Sequence, residues 1–203
     1  MEVVTVPIAR ESFGGYEVRY PVELKAPRGF RAEEPATWPN LEGRLEYVHG
    51  RLLYLRPCGD EQQDVAVDLN RVLGNWVVKH SDFVVGGNEA GMILAGDARA
   101  ADSAVWRRSS LGPRTGGYRR VPPVLAAEVA GQDEGEPELL TKADWYLDHG
   151  VEVVWLLFPR PRSVLVVTPF GRTRFSSTKR LAKHASLPGL APKVSEFFRQ
   201  LAR

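Results

Sequence analysis

Three ionisable residues sit where their neighbours are apolar. Asp102 interrupts ARAADSAVW (98–106), and Glu128 interrupts VLAAEVA (124–130). Lys142, in LLTKADWYL (139–147), shares a helical face with Leu139 and Tyr146. Burying any one of these charges alone is disfavoured by several kcal/mol. Two carboxylates on neighbouring strands also repel, and each raises the other's pKa. A divalent cation between them reverses that balance. A nearby ammonium would then balance charge on the remaining ligands or on a substrate phosphate. Aspartate, glutamate and water oxygens form a hard donor set, suited to Mg²⁺ or Mn²⁺ better than Zn²⁺. The four histidines (His49, His80, His149, His184) lack metal-ligand spacing, and the single Cys58 gives no thiolate cluster. A carboxylate-held Mg²⁺ beside a lysine is, in outline, a phosphodiester-hydrolysis site. The metal lowers the pKa of a water and clamps phosphate oxygens, while the lysine orients the water or stabilises the transition state.

Each residue also has a plainer explanation. Asp102 could be an edge or turn residue. Glu128 could pair with an arginine such as Arg99. Lys142 could run its stem along apolar surface and place its head in water. One shared site accounts for all three at once.

The elements around them follow from periodicity. LEYVHGRLLYLRP (45–57) alternates around Gly50 and reads as a hairpin. Asp60 and Gln63 form a capping-box pattern, and Val65, Leu69, Val72, Leu73, Trp76 and Val77 recur at helical spacing. The glycine-broken segments DFVVGG, NEAGMILAG and ARAADSAVW read as three short strands. VPPVLAAEVA (121–130) and VEVVWLLF (151–158) read as strands buried on both faces. The helix between them starts near Pro137 and ends at Gly150. SVLVVTPF and RTRFSS form a further strand pair, and APKVSEFFRQLAR closes the chain as an amphipathic helix. Residues 1–40 contribute two short strands or an extended arm. The expectation is an α/β domain over 41–203, with a central mixed sheet flanked by helices, behind an N-terminal extension over 1–40.

The totals are compatible with that layout. The chain has 203 residues, 43% hydrophobic and 26% charged, with net charge +2. Any nucleic-acid surface must therefore be local. One cysteine excludes an intrachain disulfide framework. The longest apolar run, 153–158, is far short of the roughly 20 residues that span a bilayer. The opening MEVVTVPIARESFGG has no basic stretch leading into a long apolar one. The expectation is a cytoplasmic protein with no membrane partner.

The order strand-Asp, strand-Glu, then Lys resembles the PD-(D/E)XK, restriction-endonuclease-like superfamily. More narrowly, the chain resembles the bacterial restriction-endonuclease family expanded in cyanobacteria, in order across about residues 41–200. LEYVHGRLLYLRP is similar to that family's opening Tyr-Glu-hydrophobic-x-Asp-Gly-x-Leu segment. RAADSAVW resembles its Arg-x-Pro-Asp strand, and PPVLAAEVAGQD its Glu-Val-x-Ser-Pro-Ser-Asp strand. KADWYLDHGVEVVWLLFP resembles its Lys-x-x-x-Tyr-x-x-x-Gly-Val segment, and LPGLAPKVSEFF its closing piece. The resemblance implies Asp102 and Glu128 as metal ligands. The superfamily lysine usually stands two residues after the glutamate, where this chain has Ala130. Here Lys142, on the following helix, takes its role, with Glu46 as an added ligand or water-orienting group. Gln62 stands where the family commonly has a histidine, His49 replaces an aspartate, and Gly131 and Gln132 fall in the Ser-Pro-Ser stretch.

These features imply a Mg²⁺-dependent endonuclease, with Mn²⁺ as a substitute, that hydrolyses DNA and possesses a restriction-endonuclease-like core. Many relatives of this fold cut duplex DNA as homodimers, so a dimer is compatible. Two alternatives stay open: a catalytically weak module that binds nucleic acid or a partner on the same fold, and a phosphoesterase for a small nucleotide. For DNA contact the loop 107–120 offers Arg107, Arg108, Arg114, Arg119 and Arg120 interleaved with Tyr118. Gln62 is a further candidate contact. The same loop could instead be a solvated basic segment.

Overall fold

A computed structural model describes residues 3–5, 11–13, 16–18, 20–41, 43–55, 57–131 and 134–202. In chain order the strands and helices are β1 (Val3–Thr5), β2 (Glu11–Phe13), β3 (Tyr16–Val18), β4 (Val22–Leu24), β5 (Arg44–Val48), β6 (Arg51–Leu55) and α1 (Asp60–Val78). There follow β7 (Phe83–Leu94), β8 (Asp97–Arg107), β9 (Leu125–Val129), α2 (Glu136–Asp148), β10 (Val153–Phe158), β11 (Ser163–Thr168) and β12 (Gly171–Ser176). Among the described residues the fold is mixed α/β, with both antiparallel and parallel strand pairs, and β2–β3 form a separate pair. Among the described residues no helix is long and apolar enough to cross a membrane.

The chain divides into two compact units. The first comprises Met1–Cys58, Gly91–Ala100 and Arg114–Arg120. Its strands run β1-β4-β6-β5-β8, each pair antiparallel. The β5–β6 turn needs positive φ at two successive residues, and His49 (50°) and Gly50 (77°) supply it. Val22–Leu24 pairs with β6 in the register Val22↔Tyr54, so part of the N-terminal arm is a strand of this unit. Val22, Leu24 and Leu52 form its buried centre, against Phe30, Trp38 and Tyr47.

The second unit comprises Gly59–Ala90, Ala101–Pro113 and Val121–Arg203. Its strands run β8-β9-β10-β11-β12. β9 and β10 are parallel, with Glu128 beside Leu156, and α2 is the connection between them. Every position of both strands is buried, which explains their unbroken apolar runs. α1 presents Val65, Leu69, Val72, Leu73 and Trp76 to the core. α2 starts after Gly135 with Glu136 and Glu138 in its first turn, where carboxylates complement the helix dipole, and Gly150 follows its end at φ 87°.

Three local expectations are corrected. Within the segment 82–96, Phe83–Leu94 forms one long strand, β7, rather than two short ones. Its glycines mark close approaches, not breaks: a Cβ on Gly86 would lie 2.9 Å from the Trp106 ring, and one on Gly87 2.1 Å from the Asn70 amide. The chain end is not an α-helix but two short 3-10 turns, Val194–Phe198 and Gln200–Ala202. Side chains take the backbone groups that an α-helical ladder would use: Arg71 donates to the Glu196 carbonyl, Arg162 to that of Leu201, and the Gln200 N–H donates to Asp68. Finally, Asp60 is the first residue of α1 rather than its cap; Gly59 occupies the cap position.

Candidate active site

β8, β9 and α2 bring Asp102, Glu128 and Lys142 together within the second unit. β8 and β9 are antiparallel, with Ser103 opposite Ala127. The ladder ends there, and beyond it the Asp102 side chain reaches the backbone of β9 at Val129, next to Glu128. Glu128 is 1% exposed, and Asp102 is also buried.

Each carboxylate is oriented by a donor from the protein. Asp102 Oδ2 accepts the Val129 N–H at 2.8 Å. Glu128 Oε1 accepts the Tyr146 hydroxyl at 2.6 Å. Tyr146 is one helical turn beyond Lys142 on α2, so the helix aims both side chains at Glu128. Lys142 Nζ lies 3.6 Å from Glu128 Oε2 and 2.5 Å from Glu134 Oε1. The lysine side chain is only 12% exposed, so its head ends among carboxylates instead of in bulk water. Gln62, from the first turn of α1, donates to the Val129 carbonyl at 3.1 Å. The peptide groups of Val129, next to Glu128, are thus held from two sides. A Cβ on Gly131 would lie 3.3 Å from the Gln62 amide oxygen, so Gln62 also lies against the chain leaving β9.

The donor set fits a hard divalent cation. It offers two buried carboxylates on neighbouring strands, each oriented by a hydrogen bond from the protein. Among the described residues no group of three or more His, Cys, Asp or Glu is placed to hold a metal. Two protein carboxylates would therefore have to be supplemented by water or substrate oxygens. That is the habit of Mg²⁺, which dehydrates reluctantly.

Glu46 belongs to the first unit. It is buried there, with Oε2 3.7 Å from Arg99 Nη1, and its Oε1 makes no hydrogen bond among the described residues. The loop arginines are distributed over both units. Arg107 pairs with Glu152 at 2.6 Å, and Arg108 donates to the Ser81 and Phe83 carbonyls. Arg120 donates to the Glu33 carbonyl. Burial, and then the Arg114 charge, push the Arg119 guanidinium below its ordinary pKa. Trp106 is core, its indole N–H donating to the Val121 carbonyl, while Trp38 packs edge-on against Tyr118.

Two contributors are absent from the expected set: Tyr146 and Glu134. The spacing of Tyr146 from Lys142 placed it on the inward face, but only the structure gives its hydroxyl a partner. Glu134 lies in an acidic loop that carries no sequence signal of its own.

Comparison with known proteins adds three findings. Residues 32–195 match the model of a family described as Uma2: Putative restriction endonuclease. No curated protein matches the chain. The chain is similar to the crystal structure of a putative nuclease belonging to DUF820 from Anabaena variabilis ATCC 29413. The TM-score is 0.74 at 16% identity, over 85% of this chain and 99% of that one. At this identity the likeness is one of fold.

Proposed function

This chain belongs to the family described as Uma2, putative restriction endonuclease, and from that premise we propose that it is a divalent-metal-dependent nuclease hydrolysing DNA phosphodiester bonds. The observation that carries the proposal is the convergence of Asp102, Glu128 and Lys142 within the β8-β9-α2 layer. A carboxylate pair with one flanking ammonium suits a reaction that must gather a cation, a water and a phosphate diester at one point.

In this reading Asp102 and Glu128 hold a Mg²⁺ ion. A cation bound there supplies Lewis acidity toward a water and a phosphate oxygen. The Val129 N–H and the Tyr146 hydroxyl fix the two carboxylates before substrate arrives, so little reorganisation remains. Lys142 offers ammonium hydrogens to a non-bridging phosphate oxygen or to the attacking water, and holds positive charge where negative charge accumulates. Gln62 steadies the end of β9 through the Val129 carbonyl.

Cleavage of supercoiled plasmid and of single-stranded oligonucleotides with Mg²⁺ or Mn²⁺ tests the proposal. Asp102→Asn, Glu128→Gln and Lys142→Met should each lower the rate by a factor of about 100 or more, the scale of losing a charged group from a preorganised site. Cleavage that all three variants retain at the wild-type rate contradicts the assignment.

A further inference from the structure

Lys142 is not shared equally between its two carboxylates. Its ammonium is 2.5 Å from Glu134 Oε1 and 3.6 Å from Glu128 Oε2. Only the shorter separation is that of a charge-assisted hydrogen bond. The choice matters because an ammonium closed down on Glu128 would compete with a cation for the same carboxylate. Such a pair would be tight: Glu128 is 1% exposed, and Coulomb attraction strengthens where water is excluded.

Glu134 is well placed to prevent that closure. It stands in the short loop between β9 and α2, directly before Gly135, the residue that caps α2. Its side chain is 23% exposed, so its charge is less costly to maintain than one in the interior. Its partner, Lys142, lies on the second turn of the helix that Gly135 opens. Glu128 is meanwhile held on its other oxygen by Tyr146. With Lys142 charged, Asp102, Glu128 and Glu134 together with the lysine leave two negative charges, which one divalent cation would neutralise.

We propose that Glu134 is a positioning residue that draws the Lys142 ammonium off Glu128 and thereby sets the site's affinity for a divalent cation. The inference rests on the metal-dependent reading above. It concerns a residue that touches neither cation nor substrate and acts only through Lys142.

A four-member set tests it: wild type, Glu134→Gln, Lys142→Met and the double variant. Mn²⁺ affinity is measured by calorimetry and folding by thermal unfolding. Glu134→Gln should weaken Mn²⁺ binding about tenfold or more, the range seen when an outer-shell partner of a metal site is lost. In the Lys142→Met background no ammonium remains to close on Glu128, so the same substitution should change affinity by less than about twofold, as coupled residues behave in a double-mutant cycle. Equal weakening in both backgrounds would make Glu134 a ligand or a remote charge and overturn the proposal. So would unchanged affinity in Glu134→Gln. Wild type that binds no Mn²⁺ would defeat the metal-dependent reading itself. Wild type that binds, with additive variants, would defeat only the role given to Glu134.

Discussion

Asp102 accepts a hydrogen bond from the backbone N–H of Val129, the residue next to Glu128, at 2.8 Å. One carboxylate therefore fixes the strand that carries the other. A change at Asp102 acts on Glu128 through the backbone as well as through charge. The arrangement is also stiff: the carbonyl of Val129 is held by Gln62, and Tyr146 holds Glu128 from the helix side. The site is built on elements packed by the main core, where Leu125, Ala127, Val129 and Trp155 are all buried.

Tyr146→Phe should be the most informative single-atom change. It deletes the hydroxyl that donates to Glu128 and keeps the ring in the core. A buried carboxylate oxygen then loses its donor, which should lower unfolding free energy by roughly 1–3 kcal/mol. Urea unfolding measures this. Combining the change with Glu128→Gln should give less than the sum of the two single losses, since both remove the same bond.

The sequence made part of this site legible. Asp102, Glu128 and Lys142 stand out because each contradicts the apolar pattern of its own element. The limits of α2 were readable from Pro137 and Gly150, whose backbone preferences are strong. The role of Tyr146 was not readable, since a tyrosine on a buried helical face looks like any core aromatic until its hydroxyl finds a partner. Glu134 was hidden for the opposite reason: an acidic residue in a polar loop looks solvated. Gly86 and Gly87 misled because glycine serves both turns and close approaches, and only the Trp106 ring and the Asn70 amide distinguish the two. The closing segment had an amphipathic pattern, but Asp68, Arg71 and Arg162 capture its backbone groups from elsewhere in the fold.

Gly87→Ala tests the close-approach reading of β7. The added methyl would fall 2.1 Å from the Asn70 amide oxygen. That amide cannot readily move, because it donates to the Ala66 carbonyl and accepts from Ser103. A loss of about 1 kcal/mol is expected, the low end of the overpacking range, because Gly87 is exposed. Thermal unfolding checks it; a variant as stable as wild type would show that β7 and α1 can separate at no cost.

Arg107 and Glu152 give the fold a pH signature. The Arg107 hydrogen bond is the largest cause holding the Glu152 carboxyl below its ordinary value of 4.5, and a bond from Ser186 adds to it. A depressed carboxylate stabilises the folded state above its unfolded pKa, and that contribution fades as pH falls through the folded pKa. The pair is partly exposed, so solvent screening keeps its worth within about 1 kcal/mol. Arg107→Ala should be less stable than wild type near neutrality. The gap should narrow as pH drops below about 4.5, followed by unfolding across an acid series.

The central claim is that Asp102 and Glu128 form one cation site. Calorimetric titration of Mn²⁺ into wild type, Asp102→Ala and Glu128→Ala tests it most directly, with thermal unfolding confirming that each variant is folded. The account predicts one Mn²⁺ bound per wild-type chain and none measurable in either variant. Wild-type affinity retained by folded Asp102→Ala and Glu128→Ala would contradict it.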